Sequence, residues 1–115
     1  MEKYIVELIQ AEPDGLDECL YSIDGKYLHV QRSDEGVDYT FYDMKSFRDI
    51  DGGQLDIETE TLVLATVEIC RFHCIEDISD LCIADIEILD KIQEVQDIAA
   101  LNMRMRYNVD RWVKG

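Results

Sequence analysis

The chain has 115 residues, which is enough for one domain that buries about two-thirds of its unfolded surface. Its 47% hydrophobic content excludes a disordered protein, although 26 acidic against 11 basic side chains give a net charge of −15. Such a surface repels nucleic acid and anionic membranes, so direct binding to either is excluded and a basic partner is expected instead. We predict a single domain over residues 1–115.

The N-terminal residues 3–10 are predicted to form a central strand, because apolar side chains occupy both faces of an alternating pattern. Pro13 and the pair Asp14-Gly15 then end this strand in a turn. No basic flank leads into a long apolar run, so we expect neither a signal peptide nor a membrane span. The protein is therefore expected in the cytoplasm, with its four cysteines reduced.

Two chain reversals predict an antiparallel meander. Asp24-Gly25 is a preferred pair for a two-residue hairpin, and it joins strand-like runs at residues 20–23 and 26–32. A second reversal at residues 33–36 leads into residues 37–43, where apolar and polar side chains alternate. These strands are expected to form the N-terminal half of the sheet.

The stretch "MKSFRDIDGGQLD" follows at residues 44–56. Its glycine pair is not followed by Lys-Ser/Thr, which excludes a phosphate loop, and its aspartates lack the spacing of a calcium loop. Asp-Gly-Gly is chemistry typical of a turn. We therefore predict a short strand around residues 47–50, a turn at the glycine pair, and an extended segment over residues 54–57.

The C-terminal half is predicted to be helical. Residues 59–74 fit a helical stripe but are rich in β-branched side chains, so a helix capped by Thr59 or Thr61 is favoured and a strand is the alternative. Residues 79–109 contain no Gly or Pro, which predicts one long helix with Ser79 as its N-cap. Strands followed by helices predict an α+β fold: an antiparallel meander of four to five strands, covered on one face by two helices.

Carboxylates are the candidate partner-binding residues. They lie along the long helix and in the aspartate-rich loop, as Asp85, Glu87, Asp90, Glu94 and Asp97, and as Asp49 and Asp51. The expected partner is a basic, nucleic-acid-binding protein, and DNA mimicry by an antirestriction or anti-CRISPR inhibitor is the sharpest form of this hypothesis. Acidity that serves only solubility is the alternative. The broad apolar face of the long helix also leaves a homodimer open.

A second hypothesis is a small metal-binding or thiol-dependent domain. On a helix, Cys70, His73 and Cys74 share one face, and Cys82 could add a fourth ligand. Structural zinc sites usually contain paired spacings such as C-x-x-C, which are absent, so no metal or other cofactor is expected. Neighbouring helical residues do not face each other, which argues against a Cys74-His73 nucleophile. We assign no catalytic residue and expect no enzyme.

The stretch "GVDYTFYDMKSFRDIDGGQLD", with "TLVLATVEIC" after it, resembles large polyvalent protein-associated domains, small accessory domains of mobile-element proteins from gut Firmicutes. The resemblance covers about residues 36–70. Its matching residues are Asp38, Tyr39, Thr40, Tyr42, Asp43, Asp51, Gly52, Gly53, Leu55, Ala65 and Glu68. The resemblance implies a mobile-element protein, a setting in which small acidic proteins often blunt host defence. A third hypothesis is an accessory domain that assembles only with a larger protein.

Overall fold

The computed structural model describes residues 3–11, 17–58 and 61–114, and the side chains of residues 5–11, 17–58 and 61–101. Its elements are α1 (Lys3–Ala11), β1 (Glu18–Ile23), β2 (Lys26–Ser33), β3 (Gly36–Asp43), β4 (Asp49–Leu55), α2 (Leu62–Phe72), β5 (Cys82–Ile83) and α3 (Ile88–Lys114). The predicted turn at Pro13 and Asp14-Gly15 and the candidate cap Thr59 lie outside the described residues. The α+β class with an antiparallel sheet is confirmed.

The strands form one sheet in the spatial order β4-β3-β2-β1-β5. The predicted hairpin is confirmed at Asp24 and Gly25, whose φ angles of 51° and 71° are the positive values that such a two-residue turn requires. The alternation in β3 is also confirmed, since Val37, Tyr39 and Phe41 are at most 5% exposed. These three side chains form part of the core.

The prediction of a strand at residues 3–10 is wrong, because this segment forms α1. Ile5 is buried in the core, while Leu8 and Ile9 pack against it, which is the spacing of one helical face. Val6 lies outside that face and is exposed. The apolar residues fit both periods, and packing of α1 against α2 decides for the helix.

The helix favoured for residues 59–74 is confirmed as α2, and the strand alternative is wrong. Thr61 is its N-cap, since Thr61 Oγ1 accepts a hydrogen bond from Leu64 N at 3.3 Å. Leu62, Ile69 and other apolar residues of α2 are buried in the sheet's core cluster. Two helices thus pack on the core side of the sheet, as predicted. The second of them is α1, whereas the prediction had assigned the long C-terminal helix to this position.

The prediction that the long helix begins at Ser79 is wrong. Residues 82 and 83 form the short strand β5 beside β1, and Ala84 N donates to Leu20 O at 2.8 Å. Leu81 is buried in the core. The backbone groups along this edge of β1 thereby gain partners, and this tertiary pairing outweighs the helix propensity of the segment. Consequently α3 begins only at Ile88.

The predicted glycine turn is also wrong, because β4 runs without a break through Gly52 and Gly53. The reversal lies earlier, where Asp43 Oδ2 accepts hydrogen bonds from the backbone N–H groups of Lys45 and Ser46. Gly53 pairs with Tyr39 across the sheet. A Cβ atom at Gly53 would lie 3.0 Å from the Tyr39 hydroxyl, so the glycine leaves room for that side chain.

A β-bulge interrupts the pairing of β3 with β4. Phe41 pairs with Asp51 and Tyr42 pairs with Asp49, so residue 50 is an extra residue in β4. One extra residue inverts the alternation of side chains, and the two aspartates therefore point to opposite faces of the sheet. Asp51 meets the end of α2, whereas Asp49 Oδ1 accepts a hydrogen bond from Gln96 Nε2 of α3. Hence α3 contacts the face opposite α2.

Candidate functional site

A chain of three polar side chains links β3, α2 and β4. Tyr39 Oη lies 2.6 Å from His73 Nε2, and His73 Nδ1 lies 3.4 Å from Asp51 Oδ2. In the tautomer that carries its proton on Nδ1, His73 Nε2 accepts a hydrogen bond from the Tyr39 hydroxyl, and Nδ1 faces Asp51. The His73 side chain is 17% exposed and that of Asp51 is 58% exposed. The chain therefore leads from the core to the surface.

Aromatic rings surround His73. The ring centroids of Tyr39, Phe41 and Phe72 lie 5.2, 5.0 and 5.3 Å from that of His73, all in edge-to-face geometry. Burial raises the pKa of Tyr39, and the nearby Asp51 carboxylate raises it further. The Tyr39 hydroxyl accordingly keeps its proton at neutral pH and remains a hydrogen-bond donor.

A cleft of about 370 Å³ opens beside His73. Its apolar lining comes from Phe41, Ile50 and Ile75. Its polar lining includes four carboxylates and one amine, those of Asp24, Asp51, Glu76, Asp77 and Lys26. The cleft thus combines apolar walls with an excess of negative charge.

The end of α2 positions one wall of the cleft. Cys74 has a φ of 60°, in the left-handed region, and this conformation turns the chain sharply after the His73 cap. Ile75 N then donates to Cys70 O at 2.9 Å. Hydrogen bonds from the hydroxyl and backbone amide of Ser79 lower the pKa of Asp77. The segment after α2 is therefore tied down by its own hydrogen bonds.

Lys26, which also lines the cleft, is already paired. Its Nζ lies 3.0 Å from Asp24 Oδ2 and donates to Asp24 O at 3.2 Å. Asp51 Oδ1 accepts a hydrogen bond from Gly52 N at 2.8 Å. Glu76 has no ion pair within the described part of the chain. The cleft therefore presents carboxylate oxygens with free acceptor capacity.

The predicted partner-binding carboxylates do not form one surface. Asp90, Glu94 and Asp97, here called the α3 stripe, lie three and four residues apart on one exposed helical face. Ile92 lies on the other side of the helix and is 2% exposed. The α3 stripe therefore points away from the sheet.

The other four predicted carboxylates lie elsewhere. Asp85 and Glu87 precede α3, which corrects their placement on the helix, and Asp85 Oδ1 accepts a hydrogen bond from Glu87 N at 3.0 Å. Asp49 contacts α3, while Asp51 belongs to the cleft. All four are exposed. The structure thus separates the predicted acidic surface into four groups.

The structure does not assemble the candidate metal ligands. Because α2 ends at Phe72, Cys74 is not on the helical face that carries Cys70. Cys70 is fully buried, and burial, with a smaller contribution from Asp80, raises its pKa to about 11. Cys74 and Cys82 are exposed. Within the described residues, no three His, Cys, Asp or Glu side chains converge in a way that could bind a metal ion.

The contact of His73 with Tyr39 and Asp51 was not expected from the sequence, which suggested His73 as a metal ligand or, less favourably, as a base beside Cys74. The one available signal was the glycine pair, since Gly52 and Gly53 leave space beside a large cross-strand side chain. Within the described residues, no helix is long and apolar enough to span a bilayer.

Comparison with known families gives one match. The model of large polyvalent protein-associated domain 16 matches residues 15–99. The resemblance over residues 36–70 is thereby confirmed, and the match extends beyond it to include every residue that lines the cleft. No curated protein and no solved structure matches the chain.

Proposed function

The chain belongs to the large polyvalent protein-associated domain 16 family, and from this premise we propose that it is a non-enzymatic accessory domain that binds a basic partner protein. The single observation that carries the proposal is the net charge of −15. Family membership supports an accessory role beside larger proteins. The proposal places the protein in the cytoplasm, where its cysteines remain thiols.

The α3 stripe supports a partner from outside the domain. None of its three carboxylates forms an ion pair with the side chains that the structure describes. Their charge is therefore not neutralised by the described side chains, and the field extends into solvent over about one Debye length, 8–10 Å at physiological salt. Such a field raises the association rate of a basic partner and makes that rate sensitive to salt.

Leu101 argues for a heterologous partner rather than a parallel homodimer through this face. It lies four residues after Asp97 on the same side of α3, and it is 56% exposed. Parallel self-pairing through Leu101 would bring two acidic stripes together, which is unfavourable. A basic partner with a small apolar contact would instead match both features. The homodimer remains a hypothesis that sedimentation at several concentrations would test.

The proposed partner class is a nucleic-acid-binding protein. Residues spaced three and four apart on a helix rise about 4.5 and 6 Å along its axis. One strand of B-DNA presents a phosphate about every 3.4 Å along the axis. The α3 stripe is therefore spaced more widely along its axis than the phosphates of one strand, and it imitates their negative charge rather than their repeat. Competition with DNA for a basic groove is the form of inhibition that we propose, with antirestriction or anti-CRISPR activity as its sharpest form.

The test is capture of the partner by the tagged full chain from a lysate of the organism that encodes it. Captures are compared at about 50 and 200 mM salt, with and without excess duplex DNA, because phosphate-binding grooves lose affinity steeply over this range. We expect a nucleic-acid-binding protein that DNA or salt displaces. Replacing the α3 stripe with three lysines should abolish its recovery.

The matched control is an Asp34→Lys, Glu35→Lys, Asp38→Lys variant, which makes the same change in net charge at exposed positions of the β2–β3 turn and β3. It should retain the partner. If both triple variants lose the partner equally, or if the captured protein resists both salt and DNA, the α3 stripe is not the docking surface and the acidity serves solubility.

A further inference from the structure

The cleft beside His73 combines features that suit one kind of side chain. We propose that it binds an arginine presented by the basic partner. This inference rests on the proposed function and specifies the chemistry of its contact. The cleft and the α3 stripe are separate surfaces, so each can be tested without altering the other.

The apolar lining fits the stem of an arginine. Phe41, Ile50 and Ile75 provide a hydrophobic wall along a cleft of about 370 Å³, ample for one long side chain. Ile50 is 49% exposed. Arginine buries its methylene groups against such surfaces while its charged end stays at a polar rim.

The charges of the cleft fit the guanidinium. Lys26 pairs with Asp24, and among the described side chains Asp51 has only His73 as a basic neighbour, while Glu76 and Asp77 form no ion pair. A carboxylate has about four lone-pair positions, and Asp51 uses one for Gly52 N and directs another at His73. Two acceptor positions are then left for the paired N–H groups of a guanidinium.

Contacts with Gly52 N and with His73 orient this acceptor. Tyr39 fixes the imidazole at 2.6 Å, and the imidazole in turn faces Asp51. The pairing of β4 with β3 holds the backbone on either side. An acceptor that is already oriented loses less entropy on binding. This explains why a polar chain of this kind lies behind an exposed carboxylate.

Arginine suits the cleft better than the other cations. A lysine ammonium is a compact, strongly hydrated point charge that gains little from flat apolar walls. A metal ion requires several converging ligands, and the described residues contain no such group of three. The planar fork of arginine uses both the apolar walls and a carboxylate edge.

The experiment is an NMR titration of the 15N-labelled full chain with a capped glycine-arginine-glycine peptide, carried to millimolar concentration. Matched peptides carry lysine or citrulline at the central position. We expect amide shifts confined to residues 50–53 and 73–77, several-fold weaker binding of lysine, and none of citrulline, which lacks the charge. Asp51→Asn should weaken binding of the arginine peptide roughly tenfold, as expected for loss of a charge-assisted hydrogen bond.

Two further variants complete the test. Glu76→Gln lies at the cleft but has no ion pair within the described part of the chain, so it should weaken binding without affecting the fold. Asp90→Asn makes the same change in net charge on the α3 stripe and should leave peptide binding unchanged.

Equal binding of the arginine and lysine peptides, shifts spread over the α3 stripe, or no binding at all would overturn the cleft proposal. The same is true if Asp90→Asn weakens binding as much as Asp51→Asn. Each of these outcomes leaves the proposed capture of a basic partner intact. Conversely, the arginine peptide could bind in the cleft while the capture experiment recovers no partner that DNA displaces. That result would support the cleft proposal and contradict the proposal of a nucleic-acid-binding partner.

Discussion

The Tyr39→Phe substitution tests the chain behind the cleft by deleting a single oxygen atom. It removes the 2.6 Å hydrogen bond to His73 Nε2 from a residue that is 5% exposed. A typical net hydrogen bond contributes about 1 kcal/mol, and removing one partner so that a buried group is left unsatisfied costs about 1–3 kcal/mol. Since the His73 side chain is 17% exposed, water compensates in part, and we expect a total loss of about 1–2 kcal/mol.

The assay is urea unfolding followed by far-UV circular dichroism, with a double-mutant cycle of Tyr39→Phe and His73→Ala. An unchanged m-value is required for the comparison, because it shows that the same surface is exposed on unfolding. We expect a coupling energy of about 1 kcal/mol between the two residues. Tyr27→Phe is the control, since Tyr27 is half-buried and stacks on Phe47, and it should cost less than about 0.5 kcal/mol. A coupling energy within about 0.3 kcal/mol of zero would refute the hydrogen-bonded chain.

Three further predictions follow from local geometry. Gly36→Ala should lower the free energy of unfolding by more than about 2 kcal/mol, because its φ is 135° and an added Cβ atom would clash with Leu55 O. Gly25 has a φ of 71° but open space around it, so Gly25→Ala should lower the free energy of unfolding by only about 1 kcal/mol in the same urea assay. Burial raises the pKa of Cys70 from 9.0 to about 11. The stability that the neutral, buried thiol contributes is therefore complete below the lower pKa and is lost as the pH rises through the higher one. Urea unfolding at a series of alkaline pH values should show a smaller loss of stability for Cys70→Ala than for the wild type. Iodoacetamide should modify Cys74 in the native protein and reach Cys70 only after unfolding, and mass spectrometry that finds both modified at equal rates would contradict the assigned burial.

The elements that could be predicted from the sequence are those whose signals are local. Asp24 and Gly25 can adopt positive φ angles without help from the rest of the fold, so the hairpin was predictable. The first segment was not, because its apolar residues fit a strand as well as a helix, and only burial of Ile5 beside α2 selects the helix. Likewise, the segment after Ser79 has helix propensity throughout, yet pairing beside β1 converts residues 82 and 83 into a strand.

The candidate site depends on signals that are not local. Asp51-Gly52-Gly53 reads as a turn in isolation, but Tyr39 on the neighbouring strand needs the space that Gly53 leaves. The bulge at residue 50 then determines which aspartate faces His73, and a shift of one residue would exchange Asp49 for Asp51. The end of α2 carries no glycine, so nothing in the sequence indicated that His73 would be its cap.

The two proposals therefore depend on different physical quantities. Net charge is a property of composition and does not depend on the fold. It acts mainly on the association rate of a basic partner. The cleft exists only in the folded register, where apolar walls and the Asp51 carboxylate are brought together, and such short-range complementarity acts mainly on how slowly a partner leaves. Composition alone was enough to suggest the charge of the partner. The side chain that this partner inserts is inferred from β4, where a bulge and two glycines set Asp51 against His73.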